Sequence, residues 1–254
     1  MAELRTNEDG LYVGYRELPA RERRFLRVGV PALLWILCGL SVVWARAQHA
    51  PGGGSWDLSA QVSLRGVLVC RPYPALVVRD NDGAESAVLL VEVGKLGADR
   101  RAGGLDGKSV EVTGWRLERD GRRMIELDPG AGAIVVQDDR GQGAREPRVE
   151  SLGRVRLRGE IVDSKCYLGA MKPGEGKTHK ECATLCIRGG VPPVLVVRRP
   201  DGGRAYYLLR DLGGGPIAES LHGLIADPVE VVGELSRWGG LNVLSVGAEG
   251  VRRL

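Results

Sequence analysis

The chain has 254 residues, 43% hydrophobic and 27% charged, enough for two small domains with apolar cores plus extra segments. Net charge is only +4, from 36 basic and 32 acidic residues, and aromatics make up 5%. That balance lacks both the concentrated basic face and the aromatic-interleaved basic stripe of nucleic-acid binders, so nucleic acid is excluded as a partner.

Residues 1–27 are polar and mixed in charge, and read as a short cytoplasmic tail. Residues 28–45 carry no charge. That run is at the short end of what spans a bilayer, about 17–25 residues. Arg21, Arg23, Arg24 and Arg27 precede it and only Arg46 follows closely, which predicts a single-pass inner-membrane anchor with its N-terminus in the cytoplasm. Trp44 stands at the expected exit boundary, where an amphipathic ring is favoured. The competing reading is a cleaved signal peptide, with Ala45-Arg46-Ala47 as a weak small-x-small site. The length of the apolar run and of the charged region before it favours retention. Both readings send the rest of the chain to the periplasm or the extracellular side. Disulfides are then permitted for Cys70, Cys166, Cys182 and Cys186, while Cys38 is a small residue inside the apolar run.

Residues 46–59, with Pro51-Gly52-Gly53-Gly54-Ser55, read as a flexible tether. A first repeat follows over 60–137, then a polar linker over 138–151, then a second repeat over 152–254. Leu64-Arg65-Gly66-Val67-Leu68-Val69 matches Leu157-Arg158-Gly159-Glu160-Ile161-Val162 at an offset of 93. Pro74-Ala75-Leu76-Val77-Val78-Arg79 matches Pro193-Val194-Leu195-Val196-Val197-Arg198 at 119, and Val110-Glu111-Val112-Thr113-Gly114 matches Val229-Glu230-Val231-Val232-Gly233 at the same 119. The second copy has therefore gained 26 residues between its first and second strands.

Strand signals in the first copy fall at 62–70, 74–80, 85–92, 108–117 and 122–127, with a last extended piece at 132–137. Asn81-Asp82-Gly83 and Asp120-Gly121 are hairpin turns by composition. A short helix fits within 94–104. The second copy repeats the pattern at 154–162, 193–199, 204–210, 228–236 and 241–246, with Pro200-Asp201-Gly202-Gly203 as the turn and 214–223 in place of the short helix. Three strands, a short helix and two strands is the order of an OB-fold. The predicted fold class is all-β: two tandem OB-like five-stranded barrels, one N-terminal transmembrane helix and a short helix in the insertion. A different small barrel, or one sandwich made from both repeats, is the alternative.

The insertion, 163–192, holds three of the five cysteines. Thr178-x-x-Glu181 reads as a capping box and Gly189-Gly190 before Pro192 as a stop, which predicts a helix over about 179–188. On that helix His179, Cys182 and Cys186 share one face, and Cys166, from the end of the preceding strand, can reach the same point. Three thiolates and an imidazole suit tetrahedral zinc and also soft Cu(I). Cys182 in the helix's first turns, with Lys165, Lys172, Lys177 and Lys180 in the same insertion, predicts an acidified thiol. The alternative is a loop-stapling disulfide of Cys166 with Cys182 or Cys186. Cys182 with Cys186, four apart on one helix, is the pair least suited to a bond. Asp163 and Glu160 read as the solvent face of a barrel strand. No Ser-His-Asp context, Walker-type phosphate loop or paired-carboxylate signature is present.

The run Cys166-Tyr167-Leu168-Gly169-x-Met171-x-Pro173-Gly174, then His179, Cys182-Ala183-x-x-Cys186-Ile187-x-Gly189-Gly190-x-Pro192-Pro193, resembles a family of uncharacterised bacterial membrane-anchored proteins. Tyr12-Val13-Gly14-Tyr15 and Arg23-Arg24-Phe25-Leu26-Arg27 are similar to it as well. The resemblance implies an anchored, exported protein and carries no activity. The order of anchor and exported barrel also resembles the haem chaperones of cytochrome c maturation, whose His-x-x-x-Tyr pattern has no match here. The expected function is that of a non-enzymatic accessory protein whose insertion binds a metal or docks on a redox partner in the membrane or periplasm. An exported thiol–disulfide or electron-transfer enzyme using Cys182 or Cys186 is the second reading, and a structural module with a stapled loop the third.

Overall fold

The computed structural model describes residues 18–47, 53–79, 83–137 and 148–254. Most of the tail, the centre of the tether, the middle of the Asn81-Asp82-Gly83 turn and most of the linker lie outside the described residues. The described part falls into two units, divided between Ala50 and Pro51.

In the first unit one helix, α1 (Ala20–Ala47), has a mean hydropathy of 2.1 in its most apolar window and buries none of it. It is long and apolar enough to cross a membrane or to serve as a signal sequence. It outruns the expected 28–45 at both ends because its flanking arginines and alanines are themselves good helix formers. Pro31 lies inside it. A proline ring collides with the carbonyl four residues back and supplies no N–H, and the helix widens into a π turn over Phe25–Gly29 just before it.

The second unit is two closed five-stranded barrels. The first contains β1 (Ser55–Val69), β2 (Ala75–Arg79), β3 (Glu85–Val91), β4 (Ser109–Arg119) and β5 (Arg122–Leu127), with a short β6 (Ile134–Val136) added to β4. Neighbours run β1-β2-β3-β5-β4, and β4 pairs with β1 to close the barrel; only β3 with β5 is parallel. The second contains β7 (Val149–Asp163), β8 (Pro193–Arg198), β9 (Arg204–Arg210), β10 (Pro228–Trp238) and β11 (Leu241–Ser245), with β12 (Val251–Arg253) against β10. Its order is β7-β8-β9-β11-β10, closed by β10 on β7, with β9 and β11 parallel. The short helix of the first barrel is α2 (Asp99–Ala102); its counterpart is a 3-10 turn at Glu219–Leu224.

The repeat extends to the pairing register. Leu64 faces Val112 and Leu157 faces Val231; Val67 faces Val77 and Glu160 faces Val196; Leu89 faces Met124 and Leu208 faces Val243. Each second pair follows from the first by the offsets 93 and 119 read in the sequence. Gly66 and Gly159 occupy equivalent close approaches. A Cβ there would lie 2.3 Å from the carbonyl oxygen of Val77 or of Val196, so both copies need glycine where the first strand coils over the second. The first strands start earlier than expected, at Ser55 and Val149. Their leading residues are largely exposed and β1 crosses a register shift between Asp57 and Val62, so no clean alternation marks them.

Each barrel has its own core. Leu68, Leu76, Val88, Leu90, Val112 and Ile125 fill the first, and Ile161, Leu195, Leu209, Val229, Val231 and Leu244 the second. A third apolar layer lies between the barrels. The outward faces of the first barrel give it Val77, Leu89, Leu117 and Met124; the second gives Val196, Leu208, Trp238 and Val243. Strands β2, β3, β8 and β9 are thus covered on both faces, which is why they read as continuous apolar runs rather than alternating ones. The insertion enters this middle layer through Cys166, Tyr167, Leu168 and Cys186.

Candidate metal centre

The insertion leaves β7 at Asp163 and returns at Pro192, whose carbonyl accepts the Ser164 N–H at 3.0 Å. Cys166–Ala170 forms one π turn and Lys177–His179 a 3-10 turn; helix α3 then runs Lys180–Arg188. The expected helix is present, but the capping box is not. Thr178 falls inside the 3-10 turn and His179 becomes the residue before the helix, so no side chain caps it. The C-terminal stop is as read: Gly189 ends the helix and Gly190 takes a positive φ of 95°.

Gly189 has a second use. A Cβ on it would lie 1.8 Å from the carbonyl oxygen of Lys95, and Gly97 donates its N–H to the Gly189 carbonyl at 2.8 Å. Glycine therefore lets the loop after β3 of the first barrel lie directly on the end of α3, and that contact brings Lys95 to the sulfurs.

Cys166, His179 and Cys182 each place a ligand atom within 4.8 Å of the others, and so do Asp163, Cys166 and Cys186. The two triples share Cys166; of the other residues singled out from the sequence, His179 and Cys182 fall in one triple and Cys186 in the other. Cys166, Cys186 and His179 are buried and Cys182 is half-buried. All five cysteines are free thiols, with no disulfide between Cys166 and either helix cysteine.

Asp163, fully buried, organises the group. One carboxylate oxygen accepts the Cys166 N–H at 2.8 Å and the other pairs with His179 Nε2 at 3.0 Å. The expectation of a solvent-facing Asp163 is overturned: the end of β7 is buried under α3 and the first barrel. Glu160 is half-buried rather than on the open face, and it accepts the Gly176 N–H. Burial raises its carboxyl above the ordinary value.

The lysines are redistributed too. Lys165 is 3% exposed, paired with Glu126 of the first barrel and donating to the Glu92 and Gly94 carbonyls at 2.8 and 2.7 Å. Lys180 pairs with Asp227 at 2.8 Å. The cation at the sulfurs is Lys95, whose Nζ lies 2.7 Å from Cys182 Sγ and 4.0 Å from Cys186 Sγ. Its ammonium is held above the ordinary value by the Cys182 contact. Between the two buried thiols, Cys186 is the more acidic, because the Cys166 S–H bonds to it. That same bond, with burial and the Asp163 carboxylate, keeps the proton on Cys166.

Tyr167, next to Cys166, locks the turn between the barrels. Its ring lies 4.0 Å beneath the Arg119 guanidinium, its carbonyl accepts from Arg119 at 2.9 Å, and its hydroxyl accepts from Arg204 at 2.7 Å. Cys70 stays apart in the first barrel, its thiol pushed up to about 11 by burial. Sequence reasoning missed Asp163 and Lys95. A carboxylate three residues before a cysteine, at the mouth of an insertion, was a usable signal for the first; no pattern within the insertion points to the second.

The arrangement can hold a soft or borderline metal ion, or keep a thiolate beside an oriented imidazole. No family model matches the chain, and no match was found among curated proteins.

Proposed function

We propose that the chain is a membrane-anchored, exported accessory protein that holds one metal ion, zinc or Cu(I), through Cys166, His179, Cys182 and Cys186. The observation that carries this reading is a pair of overlapping donor groups, Cys166 with His179 and Cys182 and Cys166 with Cys186 and Asp163, together with an imidazole held through one nitrogen by the buried Asp163 carboxylate. A ligating histidine almost always gives its second nitrogen to such a partner, which sets its tautomer and aims its ring. Exposed Val93, Leu96 and Leu185 adjoin Lys95 and the helix cysteines in sequence, and supply an apolar rim for a protein partner. The charge step across α1 supports a cytoplasmic N-terminus.

The test is metal analysis with thiol counting on the full chain purified in detergent. One zinc or copper per chain, lost in Cys166→Ser and Cys186→Ser, is expected. A metal-free chain with two thiols missing returns the site to a disulfide staple. A reporter fused after Leu254 should be active only on the exported side; activity from the cytoplasm would remove the topology.

A second reading is thiol chemistry at Cys182. It is favoured by the same His179–Asp163 pair, which orients the imidazole as a base, and by Lys95 at the sulfur. Turnover of a dithiol substrate by the metal-free chain separates it from the first.

A further inference from the structure

We propose that Lys95 and Cys182 form an oxidation-sensitive pair that closes into a covalent N–O–S bridge between the two barrels. The observation is their separation. Lys95 Nζ lies 2.7 Å from Cys182 Sγ. That is the short end of the range for N–H···O bonds, about 2.7–3.2 Å, although sulfur is a larger atom than oxygen. It is the spacing of two atoms joined through one oxygen by single bonds.

The approach is built in rather than a chance encounter of flexible ends. The Lys95 carbonyl abuts Gly189, where even a methyl group would collide, and the Gly97 N–H bonds to the Gly189 carbonyl. Both backbones are therefore clamped beside the pair. Access also selects this cysteine. Lys95 is exposed and Cys182 half-buried, whereas Cys166 and Cys186 are buried, so an oxidant from solvent meets Cys182 first.

The chemistry balances with dioxygen as the oxidant. An amine N–H and the thiol S–H are broken. One oxygen atom becomes the bridge, forming N–O and O–S bonds, and the other leaves as water with the two hydrogens. Nitrogen and sulfur each give two electrons, and dioxygen accepts all four. Four thiol equivalents, as two dithiothreitol, supply the four electrons and hydrogens that return the amine and the thiol and release the bridging oxygen as water, the reductant leaving as disulfide. The bridge itself requires no metal. Its consequence rests on the metal reading: a bridged Cys182 is withdrawn from the ligand set, so oxidation would weaken metal retention by about tenfold or more, as loss of a first ligand should.

The experiment uses the full chain in detergent, exposed to air or kept in dithiothreitol, alkylated, digested and analysed by mass spectrometry. The expected product links the Lys95 and Cys182 peptides, heavier than their sum by one oxygen and lighter by two hydrogens. It should vanish on reduction and be absent from Lys95→Arg and Cys182→Ser. Recovery of Cys182 from the aerated chain as a free thiol, a trapped sulfenic acid, or a disulfide with Cys166 or Cys186 overturns the bridge. Metal content measured on the reduced chain keeps the two proposals apart. Metal without a bridge refutes only the bridge, and a bridge in a chain that never holds metal refutes only the metal reading.

Discussion

Lys165→Met tests whether the insertion is held by the first barrel. Lys165 and Glu126 are each 3% exposed, and the same ammonium also donates to the Glu92 and Gly94 carbonyls. Methionine keeps the aliphatic stem but removes the charge, leaving Glu126 buried and two carbonyls without their donor. Removing one member of a buried ion pair costs about 3–5 kcal/mol, because the remaining charge is uncompensated. For a unit of about 200 residues each kcal/mol lowers Tm by about 2–4 °C, so a fall of about 6–20 °C is expected. Replacing both members, Lys165→Met with Glu126→Leu, removes the orphaned charge and should return stability to within about 1–2 kcal/mol of the original. Denaturant titration in detergent, followed by tryptophan fluorescence, reads both, since Trp238 sits in the shared layer. A single variant that loses less than about 1 kcal/mol would show that water or a rearranged loop already compensates Glu126, and would refute the clamp.

Asp163→Asn should lower metal affinity by about 10–100-fold while leaving thermal stability nearer the original than Lys165→Met does, because the amide still accepts the Cys166 N–H but no longer holds the imidazole; a competing chromophoric chelator measures it. Arg119→Met should cost about 2–4 kcal/mol, since it removes a buried charged hydrogen bond to the Tyr167 carbonyl and a cation over its ring, and equal denaturation midpoints would refute that. Glu230 is ringed by Arg156, Arg158 and Arg252, and its hydrogen bonds to Arg158 and Arg252 lower its carboxyl below the ordinary 4.5. Its contribution is therefore complete above pH 4.5 and lost as pH falls through the lowered value; the Tm gap between the original chain and Glu230→Gln should be flat at neutral pH and close in acid.

The fold was largely legible because the chain states it twice. Two offsets predicted which strands correspond, and the pairing registers follow them residue by residue. The helix in the insertion was legible from its glycine stop. Its start was not, because Thr178 and Glu181 satisfy a composition rule while the backbone spends that turn as 3-10. The grouping of Cys166 with His179 and Cys182 was legible from local spacing, since the last two lie beside and on one helix. Asp163 was misjudged because strand alternation defaults to solvent, and Lys165, read as a cation for Cys182, is drawn instead to Glu126 and two carbonyls of the first barrel; only that barrel lying over the insertion decides both. Lys95 was out of reach of any local pattern, being 87 residues from Cys182.

That failure says what the first repeat is for. Its cysteine, Cys70, bonds to the Ala102 carbonyl and faces no partner thiol among the described residues. Yet the groups that hold the insertion's backbone and charges in place come from it. Arg119 grips the Tyr167 carbonyl, Glu126 and two carbonyls take Lys165, and the Lys95–Gly97 segment seats the end of α3. A 30-residue loop on a lone barrel would leave three thiols on a segment with little to bury, and a site is only as well placed as the shell that supports it. Sandwiching the loop between two copies of one barrel supplies that shell from a surface already apolar in both. The ligand set should therefore be lost with the barrel–barrel layer even when no ligand is touched. Leu89→Glu tests this. It places a charge in the middle layer, where Leu89 is 5% exposed, and should abolish metal binding while the second barrel keeps its β circular-dichroism signature. Metal retained at full affinity in that variant would mean the second repeat builds its site unaided.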